Sequence, residues 1–313
     1  MTRTDDDDWN ITESVGATAL GVAMARAAET ASCCPLFVDR YAQWFIDAAN
    51  ASGWQSPFGG AAPAGLDPAT AERVERRRRY VWAYAASRTK HFDDFFIAAG
   101  AAGITQVVVL AAGLDARGWR LPWVPDTVVF EIDQPKVLEF KAETLRARLA
   151  RPMARVVAVP VDLRRDWPTA LREAGIDADV PTAWLAEGLL PYLPADAQDL
   201  LFERIQALSA VDSRIAVEAF GPGYFDEDYQ RRRREDVEAM RAASADTGHQ
   251  VADVTELFFS GPRADVGDWL TGHGWEVRSE TSAQVMARHK PDEAADPQMP
   301  GSLFVEGRRL SGP

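Results

Sequence analysis

An α/β fold is predicted for this chain: a mostly parallel sheet covered by helices on both faces, preceded by an N-terminal helical cap. Three observations point to it. From Gln106 onward, short runs rich in β-branched residues alternate with helical stretches. Upstream of Gln106 the pattern is helical and contains no strand-like run. The strand-like runs end at glycine or at an acidic residue, the signature of loops at the carboxyl edge of a parallel sheet.

The elements follow in order. Residues 1–10 read as a polar, acidic tail, and Ser14 to Thr30 as an Ala-rich helix with Val15, Leu20 and Met24 near helical spacing. A second helix is expected from Leu36 to Ala49, then a Gly-, Pro- and Ala-rich loop from Gly53 to Pro68. Ala69 to Ala99 reads as long helical structure with a break near Ser87. Its Arg76–Arg79 run, beside Glu72 and Glu75, reads as a solvated face. Strands are expected at Val107–Ala111, Val128–Ile132, Val156–Val161, Ala183–Ala186 and Ile215–Ala219. Helices fit between them at Gln134–Leu149, Arg165–Ala174 and Ala195–Leu208. Gly221 to Gly261 is highly charged and reads as an inserted helical segment. A short helix at Asp265–His273 and strands at Trp275–Ser279 and Leu303–Gly307 complete the chain, the two strands separated by the polar stretch Ala287–Pro300.

Composition bounds the function. Of 313 residues, 47% are hydrophobic and 26% charged, which excludes collagenous, disulfide-scaffold and wholly disordered classes. The net charge of −13 argues against nucleic acid and anionic membrane as partners. The adjacent Cys33 and Cys34 are the only cysteines, a usage that fits a reducing cytoplasm. Four acids, Asp5 to Asp8, stand where a signal peptide needs positive charge. The 20-residue uncharged run Phe95–Leu114 contains Gly100, Gly103, Gln106 and Gly113, and parses as helix end, turn and buried strand rather than a membrane span.

The strand ends carry the chemistry. The first strand runs into Ala111-Ala112-Gly113-Leu114-Asp115, a turn at which backbone can approach a ligand. Asp133 lies 20 residues beyond Gly113 at the tip of the second strand, placed to accept hydrogen bonds from both hydroxyls of a ribose. A dinucleotide site needs G-x-G-x-x-G, whereas the aligned positions here are Ala111, Gly113 and Ala116. S-adenosyl-L-methionine has no phosphate and needs one close backbone approach, so it is favoured over NAD. At the third tip, Asp162 and Leu163 can take an adenine amino group and ring nitrogen. At the fourth, Glu187-Gly188-Leu189-Leu190-Pro191-Tyr192 offers an acid and an aromatic.

Together with Arg88-Thr89-Lys90, Leu110 to Arg117 and Glu131-Ile132-Asp133-Gln134-Pro135, these segments resemble the leucine carboxyl methyltransferase superfamily, and more closely its actinobacterial branch of S-adenosyl-L-methionine-dependent methyltransferases. The likeness runs from Trp9 to Ser302-Leu303-Phe304-Val305. It implies the class I, Rossmann-like methyltransferase fold, with a seven-stranded sheet whose last strand is antiparallel. On that reading residues 1–313 form a single methyltransferase domain: tail and cap at 1–87, cofactor-binding core at 88–220, inserted helical segment at 221–262, and C-terminal helix with the last two strands at 263–313. The resemblance implies that Arg88 holds the cofactor carboxylate, Gly113 lies against the methionine part, Asp133 binds the ribose, and Asp162 and Leu163 frame the adenine. It places Glu187 near the amino group or the methyl-transfer centre, and Tyr192 on the acceptor side. His91 stands where this branch is expected to carry an aromatic residue.

The expected activity is methylation of a carboxylate or hydroxyl oxygen on a small-molecule acceptor. A carboxylate acceptor needs no general base; a hydroxyl acceptor is helped by one, and among four histidines His91 is nearest the cofactor motifs. The segments 9–30 and 221–261 are expected to cap the acceptor pocket, with Trp9, Trp54, Tyr224, Phe225 and Tyr229 either lining it or packing the cap. Two alternatives remain at this stage: a non-catalytic nucleoside-binding protein, and an NAD(P)-dependent oxidoreductase.

Overall fold

The computed structural model describes residues 14–54, 56, 67–221, 224, 226–244, 257–259, 261–293 and 301–311. Seven strands form one sheet: β1 (Gln106–Leu110), β2 (Val128–Asp133), β3 (Arg155–Pro160), β4 (Thr182–Ala186), β5 (Arg214–Phe220), β6 (Trp275–Thr281) and β7 (Ser302–Arg309). Their spatial order is β3-β2-β1-β4-β5-β7-β6. Strands β1 to β5 pair in parallel, and β7 runs antiparallel to both of its neighbours. The register Leu110↔Ile132, Asp133↔Pro160, Leu110↔Ala186 and Ala186↔Val217 brings the carboxyl ends of five strands to one edge.

Period-two alternation divides the core. Val108, Leu110, Phe130, Ile132, Trp184 and Val217 face a cluster completed by Trp167 of α6 (Trp167–Glu173) and Phe202 of α7 (Ala195–Ala207). Val107, Val109, Val129, Leu185 and Phe304 face Phe92, Phe95 and Phe96. Those three belong to α3 (Pro68–Ala101), which is continuous. The break expected near Ser87 is absent because Ser87 is buried within the helix and neither Gly nor Pro interrupts the chain there.

In the cap, α1 (Ser14–Thr30) and α2 (Arg40–Ala51) pack Leu20, Phe45 and Trp54 against Leu114 beside the β1 loop and Val137 and Leu145 of α5 (Pro135–Ala147). Helix α2 starts four positions later than expected because Asp39 is its N-cap, accepting from the Tyr41 and Ala42 N–H groups. Trp54 therefore packs the cap; Trp9 and Phe225 lie outside the described residues. The inserted segment contains α8 (Glu227–Ser244), where Arg231 pairs with Asp228 and Glu235.

Three α-helices remain among the described residues: the one-turn α4 (Arg117–Arg120), α9 (Val266–Gly272) and α10 (Ser282–His289). The short α4 and α10 were not anticipated. Helix α10 opens with a Thr281–Gln284 capping box and buries Val285 and Met286. No helix among the described residues is long and apolar enough to cross a membrane.

Behind the site, Lys141 of α5 donates to Glu131 of β2 at 2.8 Å, and both side chains are buried. Burial raises the Glu131 carboxyl to about 7, with Lys141 opposing. A carboxyl raised on folding favours the native state at low pH, and that contribution is lost as pH rises from its ordinary value of 4.5 toward about 7. Glu131→Gln is therefore expected to flatten the fall in stability between about pH 5 and pH 7, read from urea midpoints; an unchanged slope rules this group out as its source.

Candidate functional site

One cavity of about 460 Å³ lies along the carboxyl edge of the sheet, and all seven sequence-predicted residues line it: Arg88, Gly113, Asp133, Asp162, Leu163, Glu187 and Tyr192. Strand order sets their sequence across the edge. Asp162 and Leu163 follow β3, Asp133 ends β2, Gly113 follows β1, Glu187 follows β4, and Glu218 stands on β5.

Gly113 and Asp133 are joined directly. The Gly113 N–H donates to Asp133 Oδ2 and the Gln134 N–H to Oδ1, each at 2.6 Å. Burial raises the Asp133 carboxyl, and these two hydrogen bonds work against the rise. Gly113 has φ +47, and a Cβ added there would meet the Ala19 Cβ at an ordinary 3.5 Å. Space is thus available, and the left-handed backbone is the cost. Gly113→Ala is expected to lose about 1–2 kcal/mol of stability in chemical denaturation; no loss would mean that the turn relaxes freely.

Asp162 accepts from the Arg164 backbone N–H at 2.8 Å and from its guanidinium, and Gln134 Nε2 reaches it at 3.2 Å. Partial burial pushes Asp162 up, but the Arg164 bonds outweigh it and hold the carboxyl below its usual range.

Between β4, β5 and α3 lies a cluster of buried charge. Arg88 Nη1 donates to Glu218 Oε2 at 2.8 Å, and Arg88 Nε stands 2.9 Å from Glu187 Oε1 without hydrogen-bond alignment. Arg117 donates to Asp93 and to Glu187 at 2.8 Å each and also pairs with Asp115. Arg120 binds both oxygens of Asp93. Burial opposes the charges of Arg88, Arg117, Asp115 and Glu187, yet Arg117 and Arg88 hold Glu187 low, and Arg117 holds Asp115 at about 2. Glu218 also accepts from the Gly188 N–H at 2.8 Å and from the Tyr84 hydroxyl.

Sequence reasoning assigned no role to Glu218, Arg117, Tyr84 or Arg26. Glu218 lies inside β5, two residues before its end, so the rule that marks acids at strand tips does not reach it. Arg26, on α1, lines the cavity, donating to Asp39 at 2.9 Å and to the Leu114 carbonyl at 2.7 Å. Cap residues Gly16, Thr18 and Ala19 and the inserted segment's Tyr224, Tyr229 and Phe258 also line it, as do Tyr80 and Tyr84 of α3. Tyr192 donates to Thr18 Oγ1 at 3.2 Å.

The described histidines lie elsewhere. His91 stacks on Phe304 with ring centroids 4.9 Å apart and its Nε2 is 3.3 Å from Glu306, so it packs as an aromatic ring would. Burial lowers its pKa. His273 stacks on Trp269, His289 ends α10, and His249 is outside the described residues; none of the described three lines the cavity, so a His91 base is not supported.

The sequence profile of leucine carboxyl methyltransferases matches residues 19–206. A protein of Mycolicibacterium paratuberculosis (strain ATCC BAA-968 / K-10), named "Putative S-adenosyl-L-methionine-dependent methyltransferase", is 51% identical, covering 99% of this chain and 98% of its own. One of the same name from Mycobacteroides abscessus is 51% identical over 97% of this chain and 98% of its own. The chain belongs to the leucine carboxyl methyltransferase family. A solved structure, a DUF574 family protein from Streptomyces avermitilis MA-4680, shares the fold at 13% identity with a TM-score of 0.51, covering 81% of this chain and 94% of that one.

The fold of this leucine carboxyl methyltransferase family member is the class I, Rossmann-like methyltransferase fold, with one antiparallel strand, β7, in a seven-stranded sheet. Its first loop differs from a dinucleotide site in a physical way. The helix after β1 is the single turn α4, and Asp115 accepts its Arg117 N–H at 2.6 Å. A carboxylate thus stands where a pyrophosphate needs free amides.

Proposed function

We propose that this chain transfers the methyl group of S-adenosyl-L-methionine to an oxygen, carboxylate or hydroxyl, of a small-molecule acceptor. Family membership makes it an S-adenosyl-L-methionine-dependent methyltransferase. The residue roles and the acceptor atom are our reading. It is carried by the lateral order of strand tips in one cavity: adenine residues over β3, a ribose carboxylate at β2, a close-approach turn at β1, and paired charges at β4 and β5.

The donor set fits such a ligand. Each oxygen of Asp133 accepts one backbone N–H and retains lone-pair capacity for a ribose hydroxyl. Asp162 and Leu163 frame the adenine, Gly113 lies beside the methionine part, Arg88 holds its carboxylate, and Glu187 faces its ammonium. Tyr192 borders the acceptor. Bound there, S-adenosyl-L-methionine supplies an electrophilic methyl group on a sulfonium. The chain aligns the acceptor with it and excludes water, the role of the α1 and inserted-segment walls.

The test is calorimetric titration with S-adenosylhomocysteine, with NAD as control, followed by transfer of labelled methyl to acids and phenols. Binding of S-adenosylhomocysteine alone, with transfer to an oxygen, is expected. Binding of NAD alone restores the oxidoreductase reading, and cofactor binding without transfer to any acceptor points to a nucleoside-binding protein.

A further inference from the structure

Beyond the proposed cofactor positions, the cavity continues at its β4–β5 end. Its wall there is aromatic: Tyr84, Tyr192, Phe220, Tyr224, Tyr229 and Phe258. The rings pack on one another, Phe220 and Tyr224 with centroids 4.5 Å apart and Tyr192 edge-on to Phe258 at 5.1 Å. Such a surface takes planar rings by stacking and edge contacts.

The charges at this end do not balance. Arg88, Arg117 and Arg120 are shared among four carboxylates, Asp93, Asp115, Glu187 and Glu218, leaving one negative charge uncompensated. Among the described lining residues, Arg26 is paired with Asp39 and Arg164 with Asp162, while Arg88, shared with two glutamates, is the cation already given to the cofactor carboxylate in the placement above. Arg263 lies over the Phe220 ring at 4.9 Å but outside the lining, turned to the Leu190 and Phe259 carbonyls, so among the described lining residues no unpaired cation stands beside Glu218 to receive an anionic acceptor.

The hydroxyl of Tyr84 completes the end wall. It donates to Glu218 Oε1 and stands 2.7 Å from Ser302 Oγ. With its one proton directed to Glu218, the Tyr84 oxygen accepts from Ser302 and keeps a lone pair for one further donor.

We propose that the acceptor is a neutral aromatic alcohol, a phenol, stacked on this wall with its hydroxyl donating to the Tyr84 oxygen. The proposal rests on the cofactor placement given above and narrows it. As the new C–O bond forms and the methyl–sulfur bond breaks, the phenol proton passes to Tyr84 and that of Tyr84 to Glu218, whose cluster holds the surplus carboxylate.

The experiment compares phenols of one to three rings with the carboxylic acids of the same ring systems, using labelled S-adenosyl-L-methionine and the full chain. Phenols are expected to be preferred by about 10-fold or more in kcat/KM. Tyr84→Phe keeps the ring stacked on Phe304, and is expected to lower kcat on the best phenol by about 100-fold. KM and the affinity for S-adenosylhomocysteine should stay within about twofold, a split that a merely structural loss would not give. Preference for the acids, or for the matching aromatic amines, overturns the inference while leaving methyl transfer intact. Transfer to none of them, with S-adenosylhomocysteine still bound, also overturns it. Absence of S-adenosylhomocysteine binding overturns the broader reading as well.

Discussion

Arg117→Ala is expected to cost about 3–5 kcal/mol of folding stability, the largest effect of any single site substitution argued for this chain. Arg117 is 3% exposed and donates to Asp93, Asp115 and Glu187. Removing it leaves Asp115 and Glu187 in a buried cluster with too few cations, which is far more costly than losing the attraction of one exposed pair. Arg117→Lys restores the charge without the planar fork and should recover only part of the loss. The pH dependence carries a sign. A carboxyl held at about 2 stabilises the fold above its ordinary value of 3.8, and that contribution disappears as pH falls through about 2. The Ala variant should therefore lose less stability between about pH 4 and pH 2 than the parent chain. Urea unfolding at several pH values measures both effects, and a loss below about 1 kcal/mol at neutral pH would mean that Asp115 and Glu187 find other partners or water.

Much of the site was legible because it is built from strand tips. Runs such as Val107–Leu110 alternate between two buried faces, so their ends and the acids after them fall at one edge. Asp133, Asp162 and Glu187 were placed by that rule, and Gly113 by its turn. What escaped was the pairing across long stretches of chain. Arg88 and Glu218 are 130 positions apart, and nothing local to either marks the other as its partner. Arg117 sits inside a recognised segment, yet its three carboxylates come from α3, the β1 loop and the β4 tip. Helix α10 escaped for another reason: it is only eight residues long, and its capping box and its packing on α3 settle it. The placement of His91 against Phe304 escaped too, because it depends on β7, which lies far along the chain.

Asp133→Ala should weaken S-adenosylhomocysteine binding by about 1.5–3 kcal/mol, roughly 10- to 150-fold in Kd. Burial raises the Asp133 carboxyl, so keeping it ionised at neutral pH works against folding, while its two backbone N–H bonds work in favour. These contributions oppose one another, and the change in stability should be smaller than the change in affinity. In the proposed placement, ribose hydroxyls would meet no such offset, since they would donate to a carboxylate already oriented by Gly113 and Gln134. Asp133→Asn tests the geometry more sharply. Its amide has one acceptor oxygen, so either the Gly113 or the Gln134 N–H must face an NH2 donor, and affinity should fall nearly as far as in the Ala variant. Adenosine, which carries the ribose without the methionine part, should lose the same factor. A folded Ala variant that binds both ligands as tightly as the parent would remove Asp133 from the ribose site, and a loss confined to S-adenosylhomocysteine would move it toward the methionine end.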